Sequence, residues 1–368
     1  MRRQLNLIQF SRAIVPLFVM LFHANSMMIF YFHYNLLGFT IGAKSGGVYY
    51  FFALSGFMLY YLYHKEFGNS KKIKSFFYSR FIRIYPIYWI LTLCVLPIYF
   101  VFPKMGHGYE RDISTIITSL LLIHSKKEPL LGVAWSLVHT VYFYFIFSLV
   151  FLNNKKISKL LICTWAAISF AFCTNLLSSS NSLVSFLFNF NNLIFLSGVT
   201  CAYVVSKMKI NYYLSLLCIF IGILGFPLSW FNTQYKFIDM SLQFTTGLSS
   251  VLLILGISAI DLQKDIKMPR IAKYLGDASL SIYLTHHTSM SVISKILRSI
   301  SFLSFNKLLI SLILLILPMI IGCIVYSLIE KPIIQKLKHF NTKNKIYSYY
   351  LLTNMHLKKH FSRSKPSV

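Results

Sequence analysis

Acidic side chains are scarce in this chain: nine Asp and Glu stand against 36 Lys and Arg, a formal net charge of +27 over 368 residues. Charge of either sign is thin as well, at 12% of residues, where a soluble domain carries roughly a quarter. With 56% of residues apolar, so little charge excludes a disordered chain and argues against an ordinary water-soluble globule. The six cysteines (Cys94, Cys163, Cys173, Cys201, Cys218 and Cys323) all lie in apolar stretches. They have neither zinc spacing nor the look of a disulfide framework. No Gly-rich phosphate loop and no internal repeat stands out. A nucleic-acid binder would gather its basic residues on a domain that can dissolve. Here they sit between long apolar runs, which points to a polytopic membrane protein without a nucleic-acid partner.

What is present is a series of apolar runs. A membrane-crossing helix needs about 20 mostly apolar residues at 1.5 Å rise each. Windows of that length predict ten spans, at 10–30, 48–64, 84–102, 131–151, 160–177, 186–206, 212–231, 240–260, 278–295 and 308–329. The apolar stretch 113–123 is too short to cross and reads as a buried or interfacial helix. The first span is no cleavable signal peptide, since it contains Arg12 and His23 and lacks a small-residue cleavage site. With both termini in the cytoplasm, 26 of the 36 basic residues fall inside, nine outside and Arg12 within the first span. That asymmetry follows the positive-inside rule and supports the ten-span reading. The expected fold is therefore an all-α polytopic bundle, with a membrane domain over 1–330 and a basic, membrane-hugging or disordered cytoplasmic tail over 331–368.

Few ionisable residues sit at membrane depth, and an arginine there costs at least about 2.5–3.5 kcal/mol. Arg12 and His23 are 11 residues apart, which puts them on one helix face roughly 16 Å apart along the axis, with Pro16 expected to kink the helix between them. A snorkelling arginine and a hydrogen-bonded core histidine would explain the pair equally well. Arg80 and Arg83 share a face at the cytoplasmic end of the third span, near Lys71, Lys72 and Lys74. Guanidinium forks pair bidentately with phosphate, although charges that only set topology would also appear here. Further polar groups lie within apolar helix: Ser136, His139 and Thr140 in the fourth span, and Glu330 before Lys331-Pro332 at the end of the last. Asp277 or Ser279 reads as an N-cap opening the ninth span, with Ser279, Tyr283 and His286 in one stripe. For each of these alone, an interhelical hydrogen bond is sufficient reason.

Five segments taken together resemble the acyltransferase-3 family of integral-membrane acyltransferases. LNLIQFSRAIVPLFVMLFHA resembles the family's first helix. GVYYFFALSGF (47–57) resembles its G-V-D-x-F-F-x-x-S-G-F segment, which contains Ser55. FFYSRFIRIYPIYW resembles R-x-x-R-I/L-x-P-x-Y/W, and LGDASLSIYLTHH and YSLIEKP resemble its closing motifs. The resemblance runs over nearly the whole chain in family order. It implies transfer of an acyl group, usually acetyl, from cytoplasmic acyl-CoA to a hydroxyl of a carbohydrate or lipid-linked glycan, in the inner or plasma membrane. It implies His23 as the catalytic histidine, Arg12 as its companion, and Arg80 and Arg83 as donor-binding residues. Acyl-CoA is then a substrate, with no permanently bound cofactor and no metal, and membrane lipid surrounds the protein.

Two positions depart from the family pattern. Thr140 stands where W-S/T-L-x-x-E-x-x-F-Y has its Glu, and Tyr49 replaces the Asp of G-V-D. An acidic partner is then missing or comes from Asp277 or Glu330. His139 is expected to face the outer acceptor cavity, with Ser55 and His286 as further acceptor or supporting groups. Some relatives carry an appended extracytoplasmic hydrolase-like domain; without one, direct transfer within the bundle is expected. Two other classes are compatible with the composition: a transporter or flippase of a glycan or lipid intermediate, and a non-catalytic sensor or scaffold. The Arg12–His23 register with Arg80 and Arg83, and the lack of paired broken helices, favour the enzyme. The acceptor, the acyl chain length, an acyl-histidine against direct transfer, and the oligomeric state are not legible in the sequence.

Overall fold

Where no water is at hand, a backbone satisfies its N–H and C=O groups only in a helix or a closed barrel. The computed structural model describes residues 3–39, 44–299 and 306–340, and among these it contains helices and no strand. In chain order the α-helices are α1 (Asn6–Phe32), α2 (Gly47–Tyr63), α3 (Ile73–Val101), the short α4 (Ile113–Leu121), α5 (Trp135–Ser148) and α6 (Lys155–Cys173). They continue with α7 (Ser182–Leu187), α8 (Phe190–Lys207), α9 (Tyr212–Tyr235), α10 (Leu242–Gln263), α11 (Arg270–Ser299) and α12 (Lys307–Val325). The protein is an all-helical, polytopic membrane bundle.

Among the described residues, eight helical stretches are long and apolar enough to cross a membrane. The two other expected spans are α2, which is only 17 residues long, and α11, whose 30 residues are too polar to qualify. Chain direction shows that α2 crosses nonetheless. α10 ends where α1 begins: the Asp261 carboxylate accepts from the N–H groups of Leu7 and Ile8 at 2.9 and 3.0 Å. α11 instead runs parallel to α1, with Ser279 beside Arg12 and His286 and His287 beside His23. Helices that run parallel in a bundle have an odd number of crossings between them. Omitting α2 would bring the chain to α11 antiparallel to α1. α2 indeed ends at the start of α1, where the Tyr61 hydroxyl donates to the Arg3 carbonyl at 2.9 Å. The far end of the last helix returns to the same face, since the Tyr78 hydroxyl donates to the Leu337 carbonyl at 2.9 Å.

Several boundaries differ from the sequence expectation, each for a physical reason. α11 starts at Arg270 rather than at 278, so Asp277 and Ser279 are interior helix positions and not caps. α3 starts at Ile73, which places Arg80 and Arg83 two turns inside a helix. Pro16 is accommodated without breaking α1. Glu330 does not end the last helix. Pro332 supplies no N–H, the backbone widens into a π-turn over Tyr326–Glu330, and the helix resumes to Phe340. The expected tail over 331–368 therefore begins as helix, and residues 341–368 lie outside the described residues. The expected sixth span is divided into α7 and α8, with the Asn189 side chain accepting from the Asn191 N–H at 2.9 Å to cap the second piece.

Small residues set the closest helix contacts. A Cβ on Gly56 of α2 would lie 2.0 Å from the Phe195 carbonyl oxygen, and one on Gly198 of α8 only 1.8 Å from that of Ala53. The two backbones touch through this reciprocal pair, as lipid-embedded helices do when glycines face each other. α2 is thereby fixed with its opposite side toward the interior of the bundle, where the site lies.

Candidate active site

α1 carries Arg12 and His23, and its position is fixed from both sides. Asp261 satisfies two of the N–H groups that every helix start leaves open. Along its length α1 packs on α11, the most polar of the long helices. The Arg12 guanidinium donates through Nη1 to Gln9 Oε1 at 3.0 Å and through Nη2 to Ser279 Oγ at 3.2 Å. Gln9 in turn donates to Asp277 Oδ1 at 2.7 Å, so an amide links Arg12 to that carboxylate by hydrogen bonds. Farther along, the His23 ring stands edge-on to His286 and His287, with centroids 5.0 and 5.1 Å away. The His286 ring is fully buried and its Nδ1 donates to the Tyr283 carbonyl at 2.6 Å. That bond fixes its tautomer and leaves the Nε2 lone pair free.

Arg12 opens into a cavity of about 210 Å³ whose wall also includes Arg80, Arg83, Ser55, Ser136 and Thr140. The three arginines expected to act together are thus in one place. Arg80 is held over the rings of Tyr63 and Tyr144, at 5.8 and 5.9 Å to their centroids, while Arg83 is exposed at the mouth. Glu330 is buried behind this cavity, where it accepts a hydrogen bond from the Ser281 hydroxyl, with Arg12 and Arg83 close enough to interact electrostatically. Thr140 spends its hydroxyl on the Ser136 carbonyl at 2.9 Å. Thr140 is therefore no acid substitute.

His23 opens into a different and larger chamber of about 640 Å³, lined also by Tyr49, Lys44, Glu128, Trp135, Gln243 and His287. Val48 and Tyr283 line both cavities and form the wall between them. Tyr283 is pinned there: its hydroxyl donates to the Val133 carbonyl at 2.8 Å and lies 2.9 Å from Ser136 Oγ. The bundle thus holds a basic cavity on one side and a histidine chamber on the other, with a single tyrosine and a valine in common.

The stripe Ser279–Tyr283–His286 meets Arg12, the dividing wall and His23 in turn. His139 does not line the His23 chamber; it lies in a neighbouring cavity with His124. Asp277 is exposed and is joined to the site by its hydrogen bond from Gln9, close enough to Arg12 to interact electrostatically. Two participants escaped the sequence reading. Asp261 was hidden because its partners are backbone groups 253 and 254 residues away. Glu128 was hidden in a loop, yet it is the carboxylate that lines the His23 chamber.

The profile of a family described as an acyltransferase domain matches residues 6–328, nearly the whole chain. Among curated proteins, the exopolysaccharide production protein ExoZ of Rhizobium meliloti (strain 1021) is 25% identical over 315 residues, covering 81% of this chain and 91% of that protein. No solved structure matches the chain. The profile spans every helix that builds the two cavities, and the chain belongs to the acyltransferase-3 family of integral-membrane acyltransferases.

Proposed function

We propose that this protein transfers an acyl group, acetyl by default, from cytoplasmic acyl-CoA to a hydroxyl of a cell-surface polysaccharide or lipid-linked glycan at the inner or plasma membrane. The observation that carries this reading is the common wall: three arginines and a histidine occupy two cavities that meet at Val48 and Tyr283. The basic loops support a cytoplasmic position for the arginine cavity, by the positive-inside rule. Arg80 and Arg83 grip the donor's phosphates there, since guanidinium forks match phosphate oxygens. The slender acyl-bearing arm enters the smaller cavity past Arg12 toward the wall. The roomier chamber takes the acceptor, and the name of the exopolysaccharide relative supports a glycan in that place.

The chemistry then needs one base. The acceptor hydroxyl attacks the thioester carbonyl, His23 takes its proton, the C–S bond breaks and the new ester forms. The proton passes from His23 to the departing thiolate, so free coenzyme A leaves and the histidine is restored. His286 and His287 hold the His23 ring edge-on and keep it turned toward the chamber. Purified protein in lipid nanodiscs, labelled acetyl-CoA and a glycan acceptor test the proposal. Label should pass to the glycan with wild type and not with His23→Ala. Full transfer by His23→Ala, or coenzyme A release indifferent to acceptor, refutes it.

A further inference from the structure

A third cavity, of about 360 Å³, adjoins the His23 chamber, and Trp135 and Glu128 line both. The 122–131 loop and α7 enclose it against the start of α5. At its inner end the Phe186 ring stands against two imidazoles, 4.4 Å from His124 and 4.6 Å from His139. His139 Nε2 meets Asn191 Nδ2 at 3.3 Å, while Asn191 Oδ1 accepts from Gln243 Nε2 at 2.7 Å. An amide nitrogen can only donate, so His139 Nε2 is the acceptor and Nδ1 carries the proton. That buried Nδ1–H has no partner among the described residues, nor has His124 Nε2. Buried polar atoms are rarely left so. Gln243 lines the His23 chamber itself, so this network joins the walls of the two spaces.

We propose that this cavity is a second acceptor subsite, which holds the sugar unit next to the one acylated, so that the acceptor is an oligosaccharide or longer chain and not a monosaccharide. This rests on the acyltransferase reading above. The lining suits a neutral polyol. The exposed Trp135 ring can meet the C–H side of a sugar ring, and imidazole, amide and hydroxyl groups (His139, Asn189, Ser185) can exchange hydrogen bonds with its hydroxyls. An anionic headgroup fits less well: of the two lining ammonium groups, Lys127 is paired with Asp112 and Lys126 is offset by the Glu128 carboxylate at the junction, so the lining carries no net charge. The volume lies within the range of small-molecule pockets. A linear chain leaving the His23 chamber passes Trp135 to enter it.

The test uses the full chain in nanodiscs, labelled acetyl-CoA, and the producing cell's own surface polysaccharide, partly hydrolysed and sorted into lipid-free fragments of one unit and of four or more. Wild type should favour the long fragments at least tenfold in kcat/KM. In His124→Leu/His139→Leu the long-to-short ratio should fall toward one through a raised KM, and His139→Gln should restore part of it. Unchanged thermal unfolding of the variants excludes misfolding as the cause. Equal use of short and long fragments by wild type overturns the subsite while leaving the acyltransferase reading intact, as does a ratio the variants do not move. Length dependence seen only with lipid-attached fragments assigns the cavity to a headgroup and overturns it too. No transfer to any fragment or to the intact polymer removes the acyltransferase reading and this inference with it.

Discussion

Tyr283 is where the two-cavity arrangement is most exposed to test. Its ring, only 8% accessible, is most of what separates the 210 Å³ arginine cavity from the 640 Å³ histidine chamber. Tyr283→Phe removes the hydroxyl bonded to Val133 and Ser136. At about 1 kcal/mol net per hydrogen bond, the wall loses about 2 kcal/mol while the ring stays. Tyr283→Ala deletes the ring, at about 3–5 kcal/mol of stability by analogy with buried Phe→Ala, and merges the two spaces. Water from the chamber then reaches the donor thioester. The expected outcome is uncoupling: coenzyme A release, read with a thiol reagent, exceeds labelled ester formed by several-fold in the alanine variant. In wild type and Tyr283→Phe the two stay equal. The alanine variant should also accept acyl groups longer than acetyl, because the space that limits them is the ring's own. If Tyr283→Ala folds, keeps a release-to-transfer ratio of one and still rejects longer chains, the wall is not where donor and acceptor meet.

Three other substitutions separate structure from chemistry. Arg80→Lys combined with Arg83→Lys preserves every topogenic charge but not the forked geometry. The KM for acyl-CoA should rise about tenfold, or about 1.4 kcal/mol, with insertion unchanged; an unchanged KM would make both arginines topological only. Asp261→Ala strips two N–H groups of α1 of their acceptor and should cost about 1–3 kcal/mol, seen as a lower midpoint of thermal unfolding in nanodiscs. Asp261→Asn, which keeps one acceptor oxygen, should lose less. Gly198→Leu forces α2 from α8 and should cost about 1–3 kcal/mol or more through overpacking, while Ser206→Ala, an exposed position on the same helix, leaves the midpoint in place.

The architecture was legible because lipid leaves a backbone few choices: an apolar run of sufficient length is a helix, and basic residues mark its cytoplasmic side. The Arg12–His23 register and the Ser279–Tyr283–His286 stripe were legible for the same reason, since positions on one face follow from 100° per residue. What stayed hidden was long-range. The pairing of Asp261 with Leu7 and Ile8 has no periodic signature, and the place of Glu128 depends on how a loop folds over the helix ends. His139 shows the limit most clearly. It was expected to face the acceptor cavity but lies outside the His23 chamber, and successive residues on a helix point about 100° apart, which separates it from Thr140. Thr140 faces the arginines, and His139 faces His124 across Phe186.

α11 fails the apolarity that marks eight other helical stretches as membrane-crossing, and that failure locates the site. A polar helix survives at membrane depth only when its hydrogen-bonding groups find partners inside the protein. Those of α11 do: Ser279 bonds Arg12, Ser281 bonds Glu330, Tyr283 bonds Val133, and His286 bonds the Tyr283 carbonyl. The first three of those bonds reach partners outside α11, and the fourth closes within it. The helix packs between α1 and α12. The helix least able to face lipid is thereby the one that borders both the arginine cavity and the histidine chamber. Its stripe meets the arginine cavity at one end and the histidine chamber at the other. Low hydropathy within a helix of crossing length is thus a positional signal, and in this chain it marks the wall between the arginine cavity and the histidine chamber.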